Sequence, residues 1–278
     1  MARELRGRVV LLTGGTSGIG RVATARLARR GACVVTCARD AERLRTVVAG
    51  LPGEVHGVAC DLVDADDREQ LVQTVIDRHG RLDALVNNAG VGRVGPLMDL
   101  DAASIEQMVT VNLTAVADLT RLALPHLRRA GGDIVMLSSA AAWAPIPPLA
   151  LYSATKAGVD GLVTALRREV PRDVRIHSVN PGPVRTEWLA RAFGARPDED
   201  DSERKLSFGV PPEWVAVQIE KCLTAYHSRS AAVPHLLGLA RLTRVPPVGR
   251  VLDALIAPLA PSLARRTREY GRRIANRR

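Results

Sequence analysis

Short apolar runs alternate along the chain with longer amphipathic segments. The runs are "RVVLLTG", "ACVVTCA", "VHGVA", "LDALVNNAG", "DIVMLSS" and "VRIHSVNPG". Because they are almost continuously hydrophobic and rich in β-branched residues, we expect both faces of each strand to be buried. The alternation therefore predicts an α/β fold, a doubly wound parallel sheet with helices on both faces.

The length and composition fit this class. With 278 residues and 46% hydrophobic content, the chain can bury a full sheet in one large domain or form two small ones. The composition turns to Leu, Pro and Arg near Ser228, so we expect a single domain over residues 1–228 and a helical C-terminal extension over residues 229–278. At the start of the extension, "AAVP" is a candidate final strand. The polar, proline-bounded segment 193–214 predicts a mobile insertion.

The sequence "TGGTSGIG", residues 13–20, directly follows the first predicted strand and opens a helix. Glycine allows the backbone to turn tightly and to approach a pyrophosphate, which the free N–H groups and the helix dipole attract. A glycine-rich loop alone is also an ordinary strand-to-helix turn. Its position between a strand and a helix favours a dinucleotide site in a Rossmann-type sheet.

The tip of the second predicted strand bears on the choice of cofactor. In such folds an acidic residue there binds the ribose 2′-OH of NAD, whereas an arginine binds the 2′-phosphate of NADP. The run "CVVTCARD" places Arg39 at the tip, and the first acidic residue is Asp40. This order favours NADP(H) over NAD(H). Two alternatives stay open: Arg39 is a solvated surface charge, and Asp40 either caps the next helix or reaches the ribose.

The sequence "YSATK" contains a tyrosine and a lysine, both rare in this chain. There are three tyrosines, and only three of the 39 basic residues are lysines. Tyr152 and Lys156 are four residues apart, so they share one face of a helix. A phenol with a pKa near 10 is a poor base at neutral pH, but a nearby ammonium favours the phenolate and lowers that pKa. Tyr152 is therefore a candidate general acid or base.

Seven signals, in this order and spacing, resemble the short-chain dehydrogenase/reductase family over roughly residues 7–228. They are the glycine turn from Thr13 to Gly20, "CDL" at 60–62, "NNAG" at 87–90, Asn112, "SS" at 138–139, "YSATK" at 152–156 and "NPGPVRT" at 180–186. The glycine spacing TGxxxGxG is similar to that of the family's shorter-chain branch.

The resemblance implies a cofactor site whose residues are spread along the chain. It implies that the pyrophosphate is lined by Gly14, Ser17, Gly18, Ile19 and Gly20. Adenine would meet Asp61 and Leu62, and the cofactor ribose would lie near Asn88, Ala89 and Gly90. The nicotinamide carboxamide would bind Thr186, which follows Pro181 and Gly182. In the alternative interpretation Asn88 only connects adjacent strands, and the prolines and Gly182 only shape a turn.

The resemblance also implies a catalytic tetrad of Asn112, Ser139, Tyr152 and Lys156. Ser139 precedes the tyrosine at the spacing that family members show, so it is the expected carbonyl-polarising hydroxyl, whereas Ser138 is expected to be structural. Asn112 would distort its helix and hold a water that connects Lys156 to solvent. Its alternative role is a buried amide satisfied by the backbone. The apolar sequence "AAAWAPIPPLAL" is suited to one wall of a hydrophobic substrate pocket.

These observations predict an NADP(H)-dependent oxidoreductase that acts on an alcohol or ketone carbon of a hydrophobic small molecule. An epimerase or dehydratase uses the same tyrosine and lysine, although the glycine spacing weighs against it. A dinucleotide-sensing module without turnover is the non-enzymatic alternative, but no tetrad member is missing. The resemblance further implies a homo-oligomer, since family members are commonly dimeric or tetrameric.

The net charge of +10 is concentrated in the extension. From Arg229 onward there are 11 Arg against Asp253 and Glu269, a local charge of +9, which leaves +1 for the rest. With 3% aromatic residues and no DNA-binding motif, we expect no nucleic-acid partner. The four cysteines lack the paired spacing of zinc sites, so we expect reduced thiols and no metal.

The extension carries leucines interleaved with arginines and broken by prolines. Such a basic amphipathic segment either lies on an anionic membrane surface or packs onto the body or a second subunit. The chain start has no signal-peptide pattern, and no apolar run reaches spanning length. We therefore expect a cytoplasmic protein, and peripheral membrane contact through the extension is one of the two alternatives.

Overall fold

The computed structural model describes residues 2–170, 173–193, 209–259, 261–265 and 269. Among them, seven parallel strands form one sheet in the order β3-β2-β1-β4-β5-β6-β7. The strands are β1 (Val9–Thr13), β2 (Cys33–Ala38), β3 (Val55–Ala59), β4 (Ala84–Asn87), β5 (Asp133–Leu137), β6 (Arg175–Pro181) and β7 (Ser230–Val233). The order reverses beside β1, as in a Rossmann-type doubly wound fold.

Helices connect the strands and lie on both faces of the sheet. They are α1 (Gly18–Arg29), α2 (Ala41–Ala49), α3 (Ala65–His79), α4 (Ala102–Val109), α5 (Ala115–Ala130), α6 (Ala150–Glu169), α7 (Trp188–Ala192), α8 (Pro212–Leu223) and α9 (Pro246–Ile256). Strand residues alternate between two cores. Val9 and Leu11 pack in the core that contains residues of α3, α5 and α6, whereas Val10 and Leu12 pack with residues of α1 and α8. The predicted fold class is confirmed.

The extension begins inside the sheet. "AAVP" forms most of β7, which pairs with β6, so the first residues of 229–278 belong to the sheet. A 3-10 helix (His235–Arg244), α9 and a short 3-10 turn (Ala257–Leu259) follow. Leu237 and Ala240 pack beside Trp143, which fixes the first part of the extension to the body. Most of the predicted insertion, 194–208, lies outside the described residues.

Candidate active site

The predicted site residues follow the carboxyl ends of the strands. Gly14 comes after β1, Arg39 after β2, Asn88 after β4, Ser139 after β5 and Gly182 after β6. Because all strands are parallel, these ends meet at one edge of the sheet. The fold therefore collects positions that are far apart in sequence along one crevice.

The glycine turn is closely packed against β4. Gly14 has a φ of 72°, in the left-handed region that glycine adopts readily, and a Cβ there would be 3.2 Å from Ala89. A Cβ on Gly20 would overlap the Gly14 carbonyl oxygen and the Asn88 amide. Glycine at these positions therefore lets the turn pack closely against the residues after β4. A tight turn that leads into the N-terminus of a helix is suited to a dinucleotide pyrophosphate.

Asn88 holds this turn in place. Its amide donates to the Thr13 carbonyl at 2.8 Å and to the Gly14 carbonyl at 3.3 Å. The Thr13 hydroxyl in turn accepts from the backbone N–H groups of Asn88 and Ala89, both at 3.0 Å. Asn88 thus connects adjacent strands, as the alternative interpretation described, and in doing so it shapes the glycine turn.

The segment after β6 covers the other side of the turn. A Cβ on Gly18 would be 3.2 Å from the Thr186 side chain, and the Ser17 hydroxyl accepts from Arg191 at 3.0 Å. Thr186 is buried. Arg191 has no motif that marks it in the sequence, and its contact with Ser17 depends on the tertiary fold. Ile19 is half-buried against the core beneath the turn.

Arg39 and Asp40, which follow β2, differ in what their side chains contact. Both are exposed, but the Asp40 carboxylate accepts from the Arg43 backbone N–H at 2.9 Å and so caps α2. Beyond β3, Asp61 is half-buried and accepts from the Val63 N–H at 3.1 Å, and Leu62 is buried.

Tyr152, Ser139 and Lys156 lie together at the same edge. The Tyr152 hydroxyl shares a hydrogen bond with Ser139, and the Lys156 ammonium is 5.9 Å from the tyrosine ring centroid. Lys156 is buried and donates to the Leu137 carbonyl at 2.8 Å. Trp188 packs on Tyr152 with ring centroids 4.9 Å apart, and its indole N–H donates to the Gly90 carbonyl at 3.2 Å.

Burial has the largest effect on the pKa values of Tyr152 and Lys156. It raises the pKa of Tyr152 to about 12, against the lowering effect of the Ser139 hydrogen bond. It also lowers the pKa of Lys156 to about 8, against the raising effect of the Asp160 carboxylate. In the protein alone, desolvation of the phenolate outweighs the lowering effect of the Ser139 hydrogen bond on the pKa of Tyr152. That Lys156, an oxidised nicotinamide and hydrogen bonds together lower this pKa stays a prediction.

Asn112 lies in a π-helical turn, Thr110–Thr114, between α4 and α5. The predicted distortion of its helix is present. Its amide exchanges two hydrogen bonds with the Val91 backbone, both at 2.9 Å, and also donates to the Thr155 hydroxyl at 3.2 Å. The amide is thus satisfied by the backbone, and it also reaches the residue next to Lys156. A π-helical turn of this kind is frequent at functional sites.

Ser138 and Ser139 have different partners. The Ser138 hydroxyl donates to the Lys156 carbonyl at 3.0 Å, which joins β5 to α6. The Ser139 hydroxyl accepts from the Ala141 N–H at 3.1 Å and lies 3.4 Å from the Pro181 carbonyl. Ser139 is thus the serine that acts on Tyr152, whereas Ser138 bonds the backbone of α6; their catalytic and structural roles stay predictions.

Asp160 is a site residue that sequence reasoning missed. It accepts from the Trp143 indole and, at 2.9 Å, from the Asn180 amide, while its charge acts on Lys156. The available signal was its position four residues after Lys156, on the same face of α6.

A Rossmann-type sheet that gathers a glycine-rich turn and a Ser–Tyr–Lys group at one edge defines a class of dinucleotide-dependent oxidoreductases. Consistent with this, residues 8–196 match the family described as short chain dehydrogenase. The chain belongs to the short-chain dehydrogenase/reductase family, whose enzymes are NAD(P)-dependent.

Two curated relatives are similar to this chain. An 11-beta-hydroxysteroid dehydrogenase A from Sesamum indicum is 36% identical over 198 residues, which span 69% of this chain but 57% of that protein. The dehydrogenase/reductase SDR family member 4 of Bos taurus is 39% identical over 196 residues, 68% of this chain and 70% of that protein.

Solved structures agree with the fold and show both cofactors. A short chain dehydrogenase/reductase from Burkholderia phymatum in complex with NAD has a TM-score of 0.76 and 25% identity, covering 87% of this chain and 94% of that one. A metagenomic short-chain oxidoreductase in complex with NADP has a TM-score of 0.67 and 32% identity, covering 82% and 98%.

Proposed function

We propose that this chain transfers a hydride between NADP(H) and the alcohol or ketone carbon of a hydrophobic substrate. The observation that carries the proposal is the largely buried group of Tyr152, Ser139 and Lys156 beside the glycine-rich turn. We assign catalysis to these three residues and Asn112. The nicotinamide supplies or accepts the hydride, and the protein supplies position, a proton and a site with little water.

Each side chain has its own task. Ser139 donates a hydrogen bond that polarises the substrate carbonyl. Tyr152 donates its proton in the reduction direction, since a pKa of about 12 keeps the phenol protonated at neutral pH. Lys156, with a pKa of about 8, is mostly charged at neutral pH and stabilises the phenolate left behind. Asn112 positions the helix through Val91 and Thr155.

The cofactor residues follow from the same geometry. The glycine turn, Gly14 to Gly20, would hold the pyrophosphate, and Thr186 beside Gly18 would bind the carboxamide. Arg39 would bind the 2′-phosphate. Capping of α2 by Asp40 supports NADP(H), because that carboxylate is already engaged with the Arg43 N–H.

The substrate is proposed to be apolar because a hydrophobic segment follows Ser139 and an aromatic side chain covers Tyr152. Trp188 packs directly on it. The segment after Ser139 adds the buried Trp143 and the partly exposed Ile146, 47% of whose surface is accessible. A carbonyl compound with an apolar body fits such walls better than a charged sugar or nucleotide.

An epimerase or dehydratase and a non-catalytic sensing module are the alternatives. An assay with NADPH or NADH and a panel of hydrophobic ketones and alcohols separates them, because only the oxidoreductase changes the nicotinamide absorbance stoichiometrically with product. Epimerisation leaves that absorbance unchanged over the reaction, and a sensing module gives binding without product.

The decisive variant is Tyr152→Phe, which keeps the ring and removes the proton. We expect turnover to fall by about 100-fold or more, the range for lost acid–base catalysis, while cofactor binding by calorimetry is retained. Tyr226→Phe is the matched control, because Tyr226 is 58% exposed and lies after α8. Turnover in Tyr152→Phe close to that of Tyr226→Phe would exclude Tyr152 as the proton donor.

We propose that the protein is cytoplasmic and forms a homo-oligomer, as the family resemblance implies. Within the described part of the chain, every helix is too short or too polar to cross a bilayer. Light scattering of the purified protein measures the oligomeric state.

We further propose that the extension contacts an anionic membrane surface. Among the residues of the extension that the structure describes, eight apolar side chains are exposed: Leu236, Leu239, Leu242, Val245, Val248, Val251, Leu255 and Leu259. Leu237 instead packs inward beside Trp143. Exposed apolar side chains in a segment with a local charge of +9 are suited to an anionic interface, where both features stabilise binding.

A further inference from the structure

A cysteine and two histidines converge at the edge of the sheet opposite the candidate active site. Cys33 is the first residue of β2, His56 lies at the start of β3, and His79 is the last residue of α3. His56 pairs with Val35, two residues after Cys33, so Cys33 and His56 lie on the same face of the sheet. These residues are distant in sequence and meet only in the folded chain.

The distances between their ligand atoms match a metal site. One ligand atom from each residue lies within 4.8 Å of the others, and the Cys33 Sγ is 3.8 Å from the His79 Nδ1. Zinc bonds of about 2.3 Å to sulfur and about 2.0–2.1 Å to nitrogen, at tetrahedral angles, require S···N separations of about 3.6 Å. The cluster therefore needs only small side-chain shifts to enclose an ion.

Glu54 is the candidate fourth ligand, and its exposed side chain would have to move to join the three ligand atoms that already lie together. Its Oε1 is 3.2 Å from the His56 Nε2, and the carboxylate also lies beside the Cys33 thiol. A thiolate, two imidazoles and a carboxylate suit Zn²⁺, whereas Mg²⁺ and Ca²⁺ prefer oxygen ligands throughout. The thiolate and the carboxylate together carry two negative charges, which balance a divalent cation.

The cluster combines a fixed interior with access from solvent. Cys33 is only 6% exposed, whereas the side chains of His56 and Glu54 are 22% and 62% exposed. An ion can therefore enter from the Glu54 side and meet the thiol inside. This arrangement differs from a surface group of acidic residues, in which every ligand is mobile and solvated.

We propose that Cys33, His56, His79 and Glu54 form a structural binding site for Zn²⁺ or a similar divalent transition-metal ion. Binding releases the thiol proton, while the imidazoles bind in their neutral form. Because β3 is the edge strand of the sheet, the ion would join that strand to β2 and to the end of α3. The site is independent of the oxidoreductase proposal and takes no part in hydride transfer.

The first test measures zinc binding to the full-length protein after chelator treatment. We expect calorimetry to show one ion per chain in the parent, with affinity at least about tenfold lower in His56→Ala and in His79→Ala. His126→Ala is the matched control, since His126 lies on α5 and contacts Arg129. Equal zinc affinity in all four proteins, or no binding by the parent, would overturn the proposal.

Cobalt substitution tests the thiol directly. Co²⁺ in the proposed site should give thiolate-to-metal charge-transfer absorption and the strong visible bands of tetrahedral coordination. A cobalt spectrum without charge-transfer bands excludes Cys33 as a ligand and overturns the assignment. Circular dichroism of each variant verifies folding, and a zinc-dependent rise in Tm that is confined to the parent and His126→Ala supports the structural role.

Discussion

Replacement of Arg39 by Asp tests the proposed cofactor preference at an exposed position that does not contribute to the core. Arg39 is exposed at the end of β2, and the next residue, Asp40, is held by its capping bond to α2. The substitution therefore changes the charge that faces the 2′ position without disturbing the core. We expect it to shift the preference of the enzyme from NADP toward NAD.

The magnitude follows from the exposure of the site. A hydrogen bond to a charged group contributes about 1.5–3 kcal/mol, and the lower end applies here because Arg39 is open to solvent. Repulsion between an introduced carboxylate and the 2′-phosphate adds about 1 kcal/mol at such a site. Together, about 2.5 kcal/mol corresponds to a change of roughly 60- to 70-fold in the ratio of kcat/KM for NADP to that for NAD.

The assay measures kcat/KM for both cofactors at one saturating substrate concentration. Asp40→Ala is the control, because it removes the cap, costs about 1 kcal/mol of stability and leaves Arg39 in place. Its cofactor ratio should equal that of the parent. The reasoning is refuted if the parent already prefers NAD, or if Asp40→Ala changes the ratio as much as Arg39→Asp does.

Two further predictions concern the stability of the body and the surface of the extension. Asp133→Asn should lower the free energy of unfolding by about 3–5 kcal/mol, because it leaves the cations of Arg3, Arg8 and Arg175 around an uncharged amide. Burial opposes ionisation of Asp133, but hydrogen bonds from His177 and Arg175 lower its pKa to about 2. The stabilisation that ionised Asp133 contributes should therefore be complete above pH 4 and should disappear in the parent as pH falls through about 2. Urea unfolding measured at a series of acidic pH values tests this. An Asn variant as stable as the parent at pH 7 contradicts the prediction. The parent should sediment with anionic vesicles at low salt. The double substitution Val251→Glu and Leu255→Glu should abolish that binding. Met98→Glu, at an 86% exposed position outside the extension, should leave it unchanged. Equal sedimentation of all three proteins contradicts membrane contact by the extension.

Substitutions are preferable to a truncation at residue 228 because of β7. Ser230–Val233 pairs with β6 inside the sheet, so a chain that ends at 228 loses a strand and exposes the edge of β6. Val251 and Leu255 lie on α9 with 61% and 66% of their surface exposed, so charges at these positions reach solvent without affecting the core.

Five of the first six strands were predictable from sequence because helices bury them. The expectation that both faces of every strand are buried is wrong for β3, the edge strand, in which Gly57 and Ala59 are exposed. All six apolar runs form strands, and the glycine turn lies between β1 and α1 as its context indicated. Burial on both faces produces a hydrophobic run that is visible without knowledge of the partners. The seventh strand, at Ser230–Val233, is short and only its alanines and valine are buried, so its pattern is weaker.

Contacts across the site were less accessible to sequence reasoning. The packing of Trp188 on Tyr152 and the cluster of Cys33, His56 and His79 join segments that no periodic pattern relates. The rise in the pKa of Tyr152 in the protein alone could not be predicted for a similar reason, because the spacing to Lys156 reveals a neighbour but not the degree of burial. Desolvation depends on the whole surrounding fold, whereas a spacing of four residues reports only on one helix.

Trp143 connects the extension to the catalytic helix. The Arg241 guanidinium lies 4.2 Å above its ring, and the Thr243 hydroxyl donates to its carbonyl at 2.6 Å. The indole N–H of the same residue donates to Asp160, whose charge acts on Lys156. Trp143 thus joins Arg241 and Thr243 of the extension to Asp160 of α6, while other apolar side chains of the extension are exposed to solvent. The proposed membrane contact would use the exposed side chains of the extension, whereas its residues next to Trp143 face the body. We therefore expect membrane binding to leave substrate binding intact.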